Sequence, residues 1–566
     1  MPNAGSISVR ETLALLDGPF AGLAEGVSQG SYAFWLGSGI SRERVIGLDG
    51  VLAKLIEFLR SHVTASESCT YRTALNTVIG LAGLSPEDRA LIDPTVPSQD
   101  WPCLSTLVGG LWNQYSAVLS VEISDEPLDF LLWVGLDFAR TFASQDADAE
   151  HLAIGMLALE GAVADLATAN WDGLLEAAME ELGYSASAYQ VTVTGSDLRG
   201  PPLAASLYKF HGCALRAIEN EPDYRALLTA RSSQIMRWMS NATFKIVRDQ
   251  LEALIQRRRT LMIGMSAQDA NIQHMFGQVG ALRGWDWREA QTPIVFSAQS
   301  LANDHKTVLE LTYGDDYEPN RQAICEAACL QAYAKPLLIA LLLNVIAEKL
   351  YVLARDVVSP GLDVAARDVL VGGVIHFRNK IAIAGNGDRL DLTKKIASGL
   401  ARARHQLQNG ESPAGVPKYF PIDDQPAHLM RGKLGLAITG QREAAAALGL
   451  IGVEDSAAIW SATCDDPHDP CSGALRLSTP NSTARVFFAA NDDAITSLME
   501  CGAFAEDDDD VVLICSRRVS SRQQRNPSSN LRTGKLGPRY IGFGPMLVDV
   551  ADLDALRDAF RAEIGL

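Results

Sequence analysis

Apolar residues along this chain change their spacing several times, and each change marks an element. Ile7, Leu13, Leu15, Leu16 and Leu23 recur with interrupted helical spacing, which predicts a helix over 7–29. Tyr32-Ala33-Phe34-Trp35-Leu36 is an unbroken apolar run, as expected of a strand buried on both faces. From about residue 48 to 159 the spacing is helical. Val51, Leu52, Leu55, Ile56 and Leu59 share one face; Leu128, Leu131, Leu132 and Leu136 share another. Short apolar runs then alternate with helical stretches. Strands are predicted near 163–166, 189–194, 205–210, 260–263 and 293–297, and helices over 173–182, 231–259 and after Asp269 or Asn271, either able to cap. Such repeats predict an α/β fold: a Rossmann-like parallel sheet from about 30 to 315, with a helical insertion at 48–159. A helical segment from Gly314 through Leu353 follows, and Ser359-Pro360-Gly361 marks a boundary. Residues 361–566 mix helices (390–407, 442–448) with short strands (457–461, 474–477, 486–489, 511–515), as a smaller α+β module would.

Composition narrows the class. A chain of 566 residues with 47% hydrophobic content is globular and divides into domains, here 1–360 and 361–566. The net charge of −19 argues against non-specific coating of nucleic acid. Contact with nucleic acid is then indirect, or through the basic stretch 517–539, which carries Arg517, Arg518, Arg522, Arg525, Arg532, Lys535 and Arg539 without an acid between them. The acidic run 506–510 reads as a solvated loop. Residues 336–347 are apolar but too short to span a bilayer, so they read as a buried core helix, with no membrane contact. The N-terminus lacks a secretory pattern and the nine cysteines are scattered, which points to the cytoplasm. Cys325 and Cys329 sit four apart on an expected helix, and Cys464, His468 and Cys471 share a loop; paired zinc spacings are absent and no metal is expected.

Four short stretches carry chemistry. Gly37-Ser38-Gly39-Ile40-Ser41 follows the first strand, where glycine permits close approach, and a helix begun near Ser41 would aim free N–H groups at a phosphate. Thr168-Ala169-Asn170-Trp171-Asp172 places an amide and a carboxylate at a sheet rim. Lys209-Phe210-His211-Gly212 puts a candidate general base at a strand end. Gly264-Met265-Ser266 is a tight turn leading to Asp269. Singly, each also fits an ordinary strand–helix turn or a structural histidine.

In this order the four stretches resemble the sirtuin family, specifically the bacterial sirtuin-like NAD-consuming proteins of antiphage defence. The glycine stretch is similar to the family's G-A-G-I-S loop, 168–172 to T-Q-N-I-D, His211-Gly212 to the catalytic H-G, and 264–266 to G-T-S, with the extension to Asp269 nearer the defence branch. The chain departs where Arg42-Glu43-Arg44-Val45-Ile46-Gly47 replaces S-G-I-P-D-F-R, where Ala169 replaces Gln, and where zinc-ribbon cysteines are missing after Cys213. The resemblance implies NAD as substrate, no metal, and hydrolysis to nicotinamide and ADP-ribose. Asn170, Asp172 and His211 would be catalytic. Gly37, Ser38, Gly39, Ile40, Ser41, Thr168, Trp171, Gly264, Ser266 and Asp269 would bind the dinucleotide, with Ser266 and Asp269 by the adenosine ribose. It further implies a homo-oligomer gated by assembly or by a HerA-type hexameric ATPase partner. Two other readings stand beside it: an NAD-dependent protein deacylase or ADP-ribosyltransferase, and a non-catalytic NAD or ADP-ribose sensor.

Overall fold

The computed structural model describes every residue except 1–3, 67, 144–145, 199, 202, 386, 413–417, 467, 518 and 520–536. Seven parallel strands form the main sheet: β1 (Tyr32–Leu36), β2 (Asp165–Thr168), β3 (Tyr189–Thr192), β4 (Ala205–Lys209), β5 (Arg259–Ile263), β6 (Ile294–Ser297) and β7 (Cys329–Leu330). Their order is β3-β4-β2-β1-β5-β6-β7, so the chain leaves β1 first to one side and then to the other. Ligand crevices of open α/β sheets form at such a reversal.

The apolar run of β1 has a physical reason. Tyr32, Phe34 and Leu36 enter one core, Ala33 and Trp35 the core on the opposite face, and all five are buried. Helices cover both faces, so no position of β1 meets water and no alternation survives there. The helix Ala334–Arg355 lies at the centre of the first core. It is long and apolar enough to cross a membrane by composition, and 89% of its apolar window is buried within the protein.

Several elements differ from their sequence expectation. The first helix breaks into Val9–Asp17 and Ala21–Ser28 at Gly18. The stretch 231–259 is not one helix. Ser232–Arg237 and Lys245–Arg257 are joined by single-turn segments in which Trp238 and Phe244 stack inward, 5.9 Å apart. The stretch 314–353 is interrupted by β7, which takes Cys329 out of the helix that holds Cys325. No α-helix begins near Ser41. A single 3-10 turn, Ser38–Ile40, follows β1 and the next α-helix starts at Leu48.

The insertion builds its own core from Leu52, Leu55, Leu107, Leu131 and Phe138, which continues into Ala214 and Leu228 after His211. Leu128 is not part of it and is 55% exposed. The helix Ala149–Leu159, buried along its whole length, packs beneath the main sheet instead.

A second sheet has the order β12-β11-β10-β9-β8, from β8 (Ser461–Cys464), β9 (Leu475–Ser478), β10 (Thr483–Ala489), β11 (Val511–Cys515) and β12 (Arg539–Gly542). It is parallel between β10 and β12 and antiparallel from β10 to β8. The strand expected at 457–461 starts only at Ser461, because the helix Gln441–Ser456 runs on and turns off through Ala458 at φ 56°. Asp508 and Asp510 of the acidic run pair with Arg485 at 3.1 and 2.7 Å. Most of the basic stretch lies outside the described residues; Arg539 itself donates to the carbonyls of Ile564 and Gly565. The first core also draws in Ala382, Ile396, Tyr419 and Ala445, so residues on both sides of position 360 share it.

Candidate functional site

Strand register sets the site. Leu36, Thr168, Lys209 and Ile263 lie in one row across β1, β2, β4 and β5, so four loops leave the sheet at the same level. These are the four stretches singled out in the sequence.

The glycine loop packs backbone on backbone. A Cβ on Gly37 would lie 2.4 Å from the Gly264 oxygen, and one on Gly39 2.6 Å from the Gly264 Cα. Gly264 itself sits at φ 64°. The amides of Gly37 and Gly39 donate to Ile263 and Gly264 carbonyls, and those of Ile40 and Ser41 donate within the turn. The loop therefore presents Ser38, which is exposed, rather than an open ring of N–H groups. This corrects the expected helix-terminus cradle: the glycines serve the close β1–β5 approach first.

Asn170 joins the loops. Its Nδ2 donates to the Gly37 carbonyl at 3.0 Å and to Ser41 Oγ at 3.3 Å. Its side-chain oxygen has no partner among the described residues, so it is available to a ligand hydroxyl or water. Thr168 Oγ1 donates to the Leu36 carbonyl and receives the Asn170 amide, which makes it a clip between strands. Both carboxylate oxygens of Asp172 are engaged, one by Ser41 Oγ at 2.9 Å and one by the Leu174 amide at 3.2 Å. Beneath it His151 is fully buried, and burial pushes its pKa down to about 4 against the pull of Asp172 and Asp148.

The Trp171 indole donates to the His211 carbonyl at 2.9 Å, while its ring lies 5.5 Å from Phe142 and 6.1 Å from Phe138 of the insertion. It braces one motif against another. The Thr229 amide holds the same carbonyl at 2.9 Å, and Gly212, at φ 106°, turns the chain beside Leu228.

Asp269, expected by the adenosine ribose, faces His211. Its Oδ2 lies 3.0 Å from His211 Nε2, at ion-pair distance but without the alignment of a hydrogen bond. Burial raises the Asp269 pKa, yet His211 and the Asn271 amide outweigh it and hold the carboxyl below its usual value. Tyr115 of the insertion is near enough that this charge, after burial, raises its own pKa. Ser266 is exposed on the turn, with no partner among the described residues.

Sequence reasoning missed the support behind these residues. Lys209, fully buried, meets Glu176 at 2.5 Å and the Asp172 carbonyl at 2.5 Å, with Cys213 Sγ 3.7 Å away. Burial alone would lower its pKa; Cys213, Glu176 and Asp172 together raise it. A lysine inside the apolar strand Ala205–Lys209 was the available signal. The replaced stretch 42–47 is tied down as well: Arg44 meets Asp148 at 3.2 Å, and Lys335 bridges Asp148 at 2.9 Å and Glu43. Among the described residues no cluster of His, Cys, Asp and Glu is arranged to hold a metal.

Four polar loops at the reversal point of a parallel sheet define an α/β protein whose candidate site lies at the carboxyl ends of its strands. The family model described as a SIR2-like domain matches residues 165–312, from β2 to the helix after β6, and supports a sirtuin-like family for this chain. SIR2-like domains use NAD, and the match fits an NAD-utilising enzyme. No curated protein matches the chain.

Proposed function

We propose that this protein is an NAD glycohydrolase, which breaks the bond between nicotinamide and ribose and gives nicotinamide and ADP-ribose. The observation that carries this reading is that two clusters, Ser41–Asn170–Asp172 and His211–Asp269, lie on loops that leave the carboxyl ends of β1, β2, β4 and β5 at one level. Glycosidic cleavage builds positive charge on the ribose as nicotinamide leaves with the bonding electrons. The free oxygen of Asn170 suits a ribose hydroxyl or the attacking water, and as an amide it keeps that role at every pH. Water then bonds to the anomeric carbon, and His211 accepts the proton it sheds. Asp172, fixed by Ser41, sets the geometry of the loop below and places its charge near the developing cation.

Water is favoured over an acyl-lysine as acceptor because no cysteine lies between Cys213 and Cys325. The ribbon that shapes the acyl-peptide cleft of sirtuin deacylases has no ligands there. An unrestrained NAD hydrolase would exhaust its own cell. We therefore read the activity as an antiphage response that depletes NAD, restrained in a homo-oligomer or by a HerA-type ATPase.

The test is chromatography of NAD incubated with the protein, alone and with a HerA-type ATPase and DNA. Equal amounts of nicotinamide and ADP-ribose are expected, falling about 10²–10³-fold in an Asn170→Ala variant, since it loses a preorganised polar contact to the reacting centre. Equal turnover in wild type and variant would rule the reading out.

A further inference from the structure

The geometry points to Asp269 as the positioning residue that decides which nitrogen of His211 meets the substrate. This rests on the reading of His211 as the group that acts at the ribose. The two oxygens of Asp269 have separate tasks. Oδ1 accepts the Asn271 amide at 2.9 Å and caps the helix Ala270–Arg283. Oδ2 faces His211 Nε2 at 3.0 Å.

Both facing atoms are sealed from solvent, and neither has a hydrogen-bond partner among the described residues. Each can meet only the other. The parts that carry them are held independently. His211 is fixed through its carbonyl by Trp171 and Thr229, and its ring lies against Phe210 and Trp238 at 4.9 and 6.4 Å. Asp269 is fixed by its cap and by the turn before it, where Ala267 stands at φ 56° and its carbonyl accepts Gln273 Nε2 at 2.9 Å. Among the described residues, Tyr115 from the insertion also feels the charge of this carboxylate.

An anionic acceptor opposite Nε2 keeps the proton of the neutral ring on Nε2. The lone pair is then on Nδ1, and Nδ1 is the nitrogen that takes the proton from water. Asp269 thus serves the ring rather than the adenosine ribose.

Asp269→Asn isolates this role. Asparagine caps a helix as well as aspartate does, so the fold is kept. The cap requires an oxygen toward the Asn271 amide, which turns the NH2 toward Nε2. A donor there forces the ring proton onto Nδ1. The measurement is 15N NMR of histidine-labelled protein above neutral pH, with His211→Gln to assign one signal among the nine histidines. Wild type is expected in the Nε2–H form and D269N in the Nδ1–H form, with kcat lower by about 10²-fold or more and KM little changed. The same tautomer in both proteins overturns the proposal, as does an Nδ1–H ring in wild type, which decides the matter should D269N fold poorly. Lost activity without a change of tautomer also overturns it and makes Asp269 a cap or ligand contact. The spectra settle the role of Asp269 whether or not NAD is hydrolysed.

Discussion

Gly39 and Gly264 show at the residue scale how a motif serves two masters. Read as a phosphate loop, glycine is there to let a ligand approach; in the fold it lets β1 and β5 approach each other. Gly39→Ala places a Cβ 2.6 Å from a backbone carbon that no side-chain rotation relieves. Overpacking of this kind costs about 1–3 kcal/mol. Gly264→Ala adds the left-handed conformation at φ 64° to a 2.8 Å contact. Thermal unfolding should therefore show a lower midpoint for both variants, with NAD binding weakened in calorimetry. An unchanged midpoint for Gly264→Ala would mean that the loop relaxes freely. The residue types and spacing of Asn170, His211 and Asp269 were legible from the chain. The pairing of His211 with Asp269 was not, since 58 positions separate them and only strand order joins them.

Elements buried on both faces, such as β1, announce themselves as unbroken apolar runs, whereas elements made by side chains turning inward do not. Trp238 and Phe244 look helical in the sequence and instead lie in short 3-10 turns that bring both rings into the core. The helices Val364–Ala384 and Gln441–Ser456 carry a seam of the same kind. A Cβ on Gly373 would lie 1.8 Å from the Gly449 oxygen, and one on Gly452 2.1 Å from that of Gly373. The adjacent Gly372 is exposed, with nothing within 4 Å of its Cβ position. Two neighbouring substitutions thus have opposite expected signs. Gly372→Ala should stabilise by roughly 1 kcal/mol through helix propensity, while Gly373→Ala should destabilise as the helices are forced apart. Denaturant midpoints measured side by side check this, and equal shifts would count against a close-packed seam.

At the scale of the whole molecule, a buried ion pair ties distant parts together. Lys349 of the central helix meets Glu160 at 2.6 Å with both side chains fully buried, and also donates to the Asp423 carbonyl at 2.5 Å. Glu160 in turn accepts the Tyr419 hydroxyl at 2.5 Å and the Ile422 amide at 3.0 Å. This joins the helix before β2, the central helix and the segment after 418. Lys349→Met leaves a buried carboxylate without its cation and should cost about 3–5 kcal/mol. Adding Glu160→Gln should return part of that loss. Calorimetric unfolding of the single and double variants checks it; additive losses would contradict the pairing.

Residue order alone determined the strand–turn–helix succession, the parallel character of the main sheet and the identity of the four polar stretches, because periodicity and turn chemistry are local. Only the tertiary structure decided that these stretches leave one row of the sheet, that Asp269 faces His211, that Trp171 braces the insertion against the His211 loop, and that the main core reaches past residue 360. Those outcomes depend on strand order and on which buried polar atoms find partners, and both are set by packing between segments far apart in the chain.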